Sequence, residues 1–504
     1  MAKTTNEEAA SLGEMLQQAL VAIATGDGDK KKLPPSAWDK LDTQIEHSGR
    51  AIVLPALPGN MPLEKAVEAM QRRIKDEEQI FSVHEIIYAY PHDGAVAFYK
   101  AMRELYGFAS PETERTFFGP KPPQMVSIKT GPGLNDVMQC PIGKFRLPGV
   151  DEPVSAIFYN DDGKMVFLIH GNVKKRDQHI LLELATKTRE IVKRESIYRG
   201  KPIRLGVDGD GDLNLTNPPE FLDVSDISES HLLFNKDIQH QIDTNILVPL
   251  KETARCRQHK IPLKRGILLE GPFGCGKSLT ARMTARVAEQ NGWTFVLLDN
   301  VSGLKAALEF ANRYAPAVVF AEDIDRIISE RDDAANDLIN MIDGVVSKTS
   351  EIMIVLTTNF VEKLDPVILR PGRLDAVISI VAPDQSTVQK LMRYYAGDLL
   401  PASEDLTQAG EAMAGQIPAS IRECVEKAKL GMIGRKANKI SNADLVVAGK
   451  VMQNHLNLLN RKGAEVSAGD KLATALRDVV TNGSGAHLEK IETLVKEVHF
   501  QVGA

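Results

Sequence analysis

The stretch that decides the fold is residues 271–278, Gly-Pro-Phe-Gly-Cys-Gly-Lys-Ser. Its glycines, lysine and serine have the spacing of a phosphate-binding loop. The apolar run 267–269 enters the loop, and a helical pattern with Leu279, Met283 and Val287 on one face leaves it. A strand, a glycine-rich loop and a helix in this order surround a phosphate chain with backbone N–H groups and the positive end of a helix dipole. The stretch and its context therefore predict a nucleotide site.

The residues of this loop have separate predicted roles. Lys277 is expected to reach the β- and γ-phosphates, and the Ser278 hydroxyl is expected to ligate Mg²⁺. ATP and Mg²⁺ are thus the predicted ligands. The full predicted nucleotide-binding set is Gly271, Pro272, Phe273, Gly274, Cys275, Gly276, Lys277, Ser278 and Leu279.

Two acidic residues follow a second apolar run. Residues 318–325 read Val-Val-Phe-Ala-Glu-Asp-Ile-Asp, which predicts a buried parallel strand that delivers Glu322 and Asp323 to its carboxyl end. That edge is where doubly wound sheets bind ligands. One acid can hold Mg²⁺ through water, and the next can orient the attacking water. Taken alone, the run would fit a strand capped by solvated acids equally well, but its position after the phosphate loop favours a site.

A third apolar run and a pair of arginines complete the predicted site. The run 354–358 ends at Asn359, whose amide can bind the water or the γ-phosphate without adding negative charge. Arg370 and Arg373 lie too close in sequence for both to reach their own chain's nucleotide easily. They suit a subunit edge, from which a guanidinium reaches a neighbour's γ-phosphate. The alternative is a pair of surface arginines in salt bridges.

Composition narrows the class of protein. The chain has 504 residues, 43% of them apolar and 25% charged, with a net charge of −6. These values are ordinary for a globular protein, and the length suits about three domains. The negative net charge argues against a nucleic-acid partner. No apolar run approaches the ~18 residues of a membrane span, and the N-terminus lacks a signal peptide's apolar region. Four isolated cysteines predict neither a zinc site nor disulfides, so we expect a cytoplasmic protein.

Changes in pattern along the chain predict five regions. They are an N-terminal helical region 1–120, a β-rich α+β domain 121–232, an α/β nucleotide-binding domain 233–382, a helical lid 383–460 and a C-terminal helical extension 461–504. Residues 208–212, Asp-Gly-Asp-Gly-Asp, are similar to the start of a calcium loop. Leu213 and Pro219 occupy positions that should be Gly and Glu, so a polar hairpin turn is the better interpretation.

Together these motifs resemble the AAA family of ATPases over residues 240–460, close to half of the chain. Residues 338–344 (Leu-Ile-Asn-Met-Ile-Asp-Gly), 358–359 (Thr-Asn), 364–366 (Leu-Asp-Pro) and 370–373 (Arg-Pro-Gly-Arg) are specific to that clade. The resemblance implies an AAA+ α/β domain with a parallel sheet plus a helical lid, and a ring of identical subunits. It also implies that Lys277 and Ser278 are the Walker A residues, that Asn359 is the sensor, and that Arg370 and Arg373 act between subunits.

The sequence departs from most of the family in two places. The acidic pair is Glu322-Asp323 where Asp-Glu is usual. This order, with Ile417-Pro418-Ala419 in the lid, resembles the subgroup of the mitochondrial chaperone that assembles the Rieske protein. If the first acid of the pair keeps its role in the family and the second does too, Glu322 binds Mg²⁺ and Asp323 polarises the attacking water. The alternative is that the two residues have exchanged these roles. The second departure is the short segment 299–304, which lacks the aromatic grip of threading relatives.

We therefore expect an ATP-hydrolysing, ring-forming AAA protein that remodels, assembles or translocates protein clients. The family is mostly hexameric, whereas the Rieske-type chaperone forms heptamers, and we favour a hexamer. One alternative is a nucleic-acid motor or loader, although no basic stripe or zinc module is present. Another is a structural assembly with a slow ATP switch. The client is not apparent from the sequence.

Overall fold

The computed structural model describes two compact units, Met1–Ile197 and Tyr198–Ala504. The described residues are 45–47, 50–52, 65, 68–69, 72, 75–108, 111–117, 119–161, 164–207, 218–299, 303–325, 350–364 and 374–464. None of the helices in these ranges combines the length and the apolar character that a bilayer span requires.

The first unit contains antiparallel sheets. Its strands are β1 (Ile45–His47), β2 (Arg50–Ile52), β3 (Ile80–Ile87), β4 (Glu114–Thr116), β5 (Gly119–Lys121), β6 (Gln124–Lys129), β7 (Val137–Phe145), β8 (Val154–Asp161) and β9 (Lys164–Lys174). Strands β1 and β2 form one pair and β4 and β5 another. The other five strands form a sheet in the order β3-β9-β8-β7-β6. Strands β6, β8 and β9 lie within the region 121–232 that the sequence predicts to be β-rich.

Two helices pack on this sheet, α1 (Pro91–Tyr106) and α2 (Gln178–Glu195). Helix α1 begins at a proline, whose missing N–H suits a first turn, and ends at Gly107 in the left-handed conformation. Phe98 of α1 contacts Phe145 and Phe167 of the sheet at ring-centroid distances of 5.0 and 5.6 Å. These aromatic contacts join the helix to the sheet in one apolar core.

The two units divide between residues 197 and 198, which lie inside the predicted domain 121–232. Strand β3 lies upstream of residue 121, yet it pairs with β9 over its whole length, from Ile80↔Lys174 to Ile87↔Phe167. Downstream, β10 (Pro202–Arg204) pairs in parallel with a strand of the second unit. Both pairings join residues far apart in the chain, so local composition does not reveal them.

The second unit contains a seven-stranded sheet with the order β11-β10-β13-β14-β15-β12-β16. Its remaining strands are β11 (Glu220–Phe221), β12 (Arg265–Glu270), β13 (Thr294–Leu298), β14 (Ala317–Ala321), β15 (Ile352–Thr358) and β16 (Ala376–Ser379). Only the β10–β11 pair is antiparallel. All residues of β14 and β15 are buried, as expected for central strands of a parallel sheet. The predicted α/β fold is thus confirmed.

Short and long helices flank this sheet. They are α3 (Lys236–Ile242), α4 (Val248–Lys251), α5 (Thr253–Gln258), α6 (Lys277–Gln290) and α7 (Leu304–Arg313). A π-helical turn, Asp243–Leu247, joins α3 to α4. Helix α6 presents Ala281, Met283 and Val287 to a core shared with Phe295 and Phe320 of the sheet. This packing fixes the helix that follows the phosphate loop.

Four helices after the sheet form a second core of their own. They are α8 (Gln385–Ala396), α9 (Thr407–Met413), α10 (Pro418–Gly434) and α11 (Asn442–Ala464). Asp384 caps α8, because its Oδ1 accepts a hydrogen bond of 2.8 Å from the backbone N–H of Thr387. Leu391, Ile421, Cys424 and Leu445 are among the residues of the shared apolar core. This helical group lies where the lid is predicted.

A buried histidine gives the first unit a predicted pH dependence. His92 in α1 is 8% exposed, and its Nδ1 has no hydrogen-bond partner among the described residues. Its ring stacks on Tyr90 and tilts against Phe158. Burial lowers the pKa of His92 from 6.5 to about 4. This folded-state pKa lies below the unfolded value, so stability is fully present above pH 6.5 and falls as pH drops toward 4.

We expect this group to account for up to about 3 kcal/mol of the acid-induced loss in free energy of unfolding. Urea titrations of the full chain at pH 7 and pH 4.5 would measure the loss in the wild type and in His92→Phe. Phenylalanine keeps the aromatic stacking but cannot be protonated. A variant whose stability falls as much as that of the wild type would contradict the assignment.

Candidate functional site

The phosphate loop links β12 to α6 and depends on the absence of side chains. A Cβ at Gly271 would lie 2.3 Å from the carbonyl oxygen of Ile380, and the φ of Gly271 is +148°. Gly276 has a φ of +107°, and a Cβ there would lie 3.1 Å from the ring of Phe234. Only glycine adopts these conformations at low cost. The loop therefore folds closely against its neighbours and keeps its N–H groups near the start of α6.

Lys277 begins α6 and lies at the centre of the site. Its Nζ donates hydrogen bonds to the carbonyl oxygens of Gly271 (2.6 Å) and Pro272 (3.1 Å) and to Oδ1 of Asn359 (2.7 Å). The residue is only 8% exposed. Burial lowers the pKa of Lys277, and the nearby acidic groups of Cys275 and Asp323 oppose that shift. In the described part of the chain no carboxylate forms an ion pair with this ammonium, so the site holds a buried cation suited to an anionic ligand.

The acidic pair follows β14 at the carboxyl edge of the sheet. Asp323 has a φ of +52°, a left-handed conformation that Asp tolerates better than most residues. Its backbone N–H donates to Oγ1 of Thr357 at 3.1 Å. Its Oδ1 accepts a hydrogen bond of 2.8 Å from Nδ2 of Asn359. Because a lysine only donates and a carboxylate only accepts, these contacts fix the orientation of the Asn359 amide.

Lys277, Asn359 and Asp323 thus form one hydrogen-bonded line across three segments of the chain. This line joins a residue predicted to bind phosphate, the predicted sensor and one of the two predicted acids. Glu322 and Ser278 border the same cavity. The residues that the sequence assigns to phosphate, metal and water binding therefore lie together in the fold.

Two adjoining cavities open between the sheet and the lid. The one of about 690 Å³ is lined by the phosphate loop, Glu322 and Asp323 on one side and by Tyr395, Pro418 and Arg422 of the lid on the other. The one of about 390 Å³ shares Gly276 and Leu279 with the first and adds apolar and aromatic residues, among them Ile227, Leu233, Phe234 and Tyr394. The larger cavity contains Lys277 and the phosphate loop and fits phosphates, and the smaller one has aromatic walls that fit a flat nucleobase.

Sequence reasoning missed several residues of this site. No local motif identifies the lid residues Tyr395 and Arg422, since only folding of the lid over the loop brings them near. It also missed Asp325, which is 6% exposed and binds Thr358 and the backbone of Asn359. The sequence did contain a sign of this role, because Asp325 follows Asp323 by two residues at the end of the same apolar run.

The remaining loop residues have distinct surroundings. Phe273 is 60% exposed and contacts the ring of Phe360 at a centroid distance of 6.2 Å. Cys275 is a buried free cysteine, and burial raises the pKa of its thiol. Leu279 borders both cavities.

Several predictions fall on residues that the structure does not describe. Arg370 and Arg373 lie outside the described residues, as do the calcium-like stretch 208–212, the family-specific run 338–344 and residues 465–504 of the predicted C-terminal extension. In the segment after β13, residues 300–302 are also outside the described residues. Asp299 is described, and its Oδ2 lies 3.5 Å from Nε of Arg204. These predictions stay predictions.

Comparison with known proteins agrees with this geometry. The family model "ATPase family associated with various cellular activities (AAA)" matches residues 267–381, from β12 to just past β16. A proteasome-associated ATPase of Streptosporangium roseum is 28% identical over 326 residues, which cover 54% of this chain and 54% of the relative. The chain thus spans about half the length of that relative. The matched segment includes the phosphate loop, the acidic pair and Asn359, and residues 267–381 form an ATPase domain of the AAA family.

Proposed function

We propose that this chain is an ATP-hydrolysing AAA protein that forms a homo-oligomeric ring and uses ATP to remodel, assemble or translocate protein clients. The observation that carries the proposal is the line from Lys277 through Asn359 to Asp323 on the wall of the larger cavity. A buried cation, an amide and a carboxylate in one line support the binding of a triphosphate and a lytic water and the acceptance of the water's proton.

ATP is the substrate of the proposed reaction. Lys277 binds the terminal phosphates of ATP. The phosphate oxygens then take the place of the loop carbonyl and the Asn359 amide oxygen to which the ammonium donates in this structure. Asp323 orients the attacking water, and Asn359 positions that water or the γ-phosphate. Positioning and charge stabilisation of this kind supply most of the catalysis in phosphoryl transfer.

Ser278 and Glu322 are the proposed ligands of Mg²⁺, which neutralises charge on the phosphate oxygens when it is bound. One hydroxyl and one carboxylate suit this ion, because Mg²⁺ keeps several waters and takes its other ligands from phosphates. Glu322 and Asp323 both border the larger cavity. The contact between Asp323 and Asn359 favours Asp323 as the residue that orients water, with exchanged roles as the alternative.

The ring follows from the arginines and from the family. Arg370 and Arg373 are proposed to reach the γ-phosphate of a neighbouring subunit, so that each site needs two chains. We favour a hexamer, as in most of the family, and keep a heptamer as the alternative because the Glu322-Asp323 order resembles that of the Rieske-assembly subgroup. The relative's name, proteasome-associated ATPase, favours a protein client over nucleic acid. A cytoplasmic location is part of the same proposal.

The short segment 299–304 bears on how a client is handled. It carries no aromatic residue that could grip an extended polypeptide by burying apolar surface. We therefore favour remodelling of folded or assembling clients over processive threading.

ATPase assays with different effectors would test the proposal. Turnover of the purified chain in Mg·ATP is expected to rise when a destabilised folded protein is added and to stay unchanged with duplex or single-stranded DNA. Stimulation by DNA alone would favour the nucleic-acid motor. Turnover far below ~1 s⁻¹ in a stable ATP-bound ring, with no response to clients, would favour the slow switch.

A further inference from the structure

We propose that Asp325 is a positioning residue that fixes Asn359 between Lys277 and Asp323. The inference rests on the proposed ATPase function and extends it to a residue outside the predicted nucleotide, metal and water ligands. It also explains why two threonines end β15.

Strands β14 and β15 lie side by side, and their carboxyl ends are held together by reciprocal hydrogen bonds. Ala321, the last residue of β14, pairs with Leu356 of β15. Beyond this point Asp325 reaches across to β15, where its Oδ1 accepts from Oγ1 of Thr358 (2.9 Å) and from the backbone N–H of Asn359 (3.1 Å). We call these two bonds the Asp325 clasp.

Bonds in the opposite direction hold the acidic segment. The backbone N–H of Asp323 donates to Oγ1 of Thr357, and that of Ile324 donates to the carbonyl of Thr357 (2.9 Å). Asp323 has a positive φ, so these bonds stabilise a backbone that would otherwise relax. Each strand end therefore positions one functional side chain of the other.

Burial makes the clasp rigid. Asp325 is 6% exposed, Thr357 1% and Thr358 fully buried. A carboxylate at such a depth needs its hydrogen-bond donors, because loss of a partner leaves a buried charge unsatisfied. Threonine also has few side-chain rotamers in a strand, so Thr358 presents its hydroxyl in one direction.

The clasp acts on chemistry through the backbone of Asn359. Its side chain must place Oδ1 2.7 Å from Lys277 Nζ and Nδ2 2.8 Å from Asp323 Oδ1. Both distances depend on where the Asn359 backbone is anchored, and Asp325 supplies that anchor. A misplacement of about 1 Å at a reacting group can cost ~10²-fold in rate.

The proposal separates hydrolysis from binding. Among the described residues the Asp325 carboxylate accepts hydrogen bonds from Thr358 and Asn359 and from no residue of the phosphate loop or the lid, so its loss should change nucleotide affinity much less than turnover. Asp325→Ala removes both accepted bonds, whereas Asp325→Asn keeps an Oδ1 that can accept them. Thr358→Val removes one donor, and Thr358→Ser is its matched control.

Steady-state turnover, affinity for a fluorescent ATP analogue and backbone hydrogen exchange of the peptide containing Asn359 would be measured on the full chain. In Asp325→Ala we expect turnover to fall at least ~30-fold with affinity within ~3-fold of wild type. Exchange at Asn359 should accelerate. Asp325→Asn should restore turnover and protection to within ~3-fold, and Thr358→Val should slow turnover where Thr358→Ser does not.

Three results would overturn the inference: normal turnover in Asp325→Ala, an equal loss of affinity and turnover in that variant, or an Asn variant as impaired as the Ala variant. If Asp325→Ala does not fold, the comparison of Thr358→Val with Thr358→Ser decides, and equal rates for the two would count against the proposal. A wild type that hydrolyses no ATP would refute the proposed function, and hydrogen exchange at Asn359 would still test the clasp.

Discussion

Replacing Lys277 with alanine is expected to abolish ATP binding, raising the Kd by at least ~10²-fold. Lys277 is 8% exposed, and among the described residues its ammonium donates hydrogen bonds to oxygen atoms of Gly271, Pro272 and Asn359. Charge-assisted hydrogen bonds to phosphate are about twice as strong as neutral ones, and no other described lysine lines the larger cavity. Titration calorimetry or a fluorescent ATP analogue would measure the affinity.

Lys305→Ala is a matched control for this variant. Lys305 is an exposed lysine of α7 in the same unit, outside both cavities. The Lys305→Ala variant loses the same charge as Lys277→Ala but loses it outside the cavities. Its affinity for ATP should therefore equal that of the wild type. Tight ATP binding by Lys277→Ala would mean that the phosphates bind elsewhere.

The second large effect is expected at the boundary between subunits. Arg373→Ala should assemble normally but hydrolyse ATP ~10³–10⁵-fold more slowly, the range measured for an arginine supplied to a phosphoryl-transfer site. Asp323→Ala should be inactive for a different reason, since it lacks the group that orients water. Each variant alone has only incomplete sites.

Mixing the two variants gives the sharper test. If each site is shared, a site with intact Asp323 can receive Arg373 from its neighbour, and about a quarter of the sites in a random ring regain both groups. Turnover should then recover to a similar fraction of the wild-type rate. The comparison is a mixture of Arg373→Ala with Arg370→Ala, in which both defects lie on the donating side. Absence of recovery in the first mixture would show that the site is complete within one chain.

Much of the candidate site could be predicted from the sequence because its chemistry is carried by short segments. Glycines at positions 271, 274 and 276 identify the loop, since few other residues permit its backbone. Apolar runs that end at Glu322 and at Asn359 identify strands that deliver polar side chains to one edge of a sheet. Local spacing thus determined the α/β fold, the phosphate loop and the identity of the polar groups.

Only the tertiary structure decided how these groups meet. The contact between Lys277 and Asn359 joins residues 82 positions apart, and Asp325 reaches Asn359 across 34 positions. The lid residue Arg422 and the pairing of β3 with β9 are likewise long-range. Strand order and side-chain orientation depend on the packing of the whole core, which no local pattern encodes. The sequence by itself therefore determined which chemical groups are available, whereas the fold decided which of them touch.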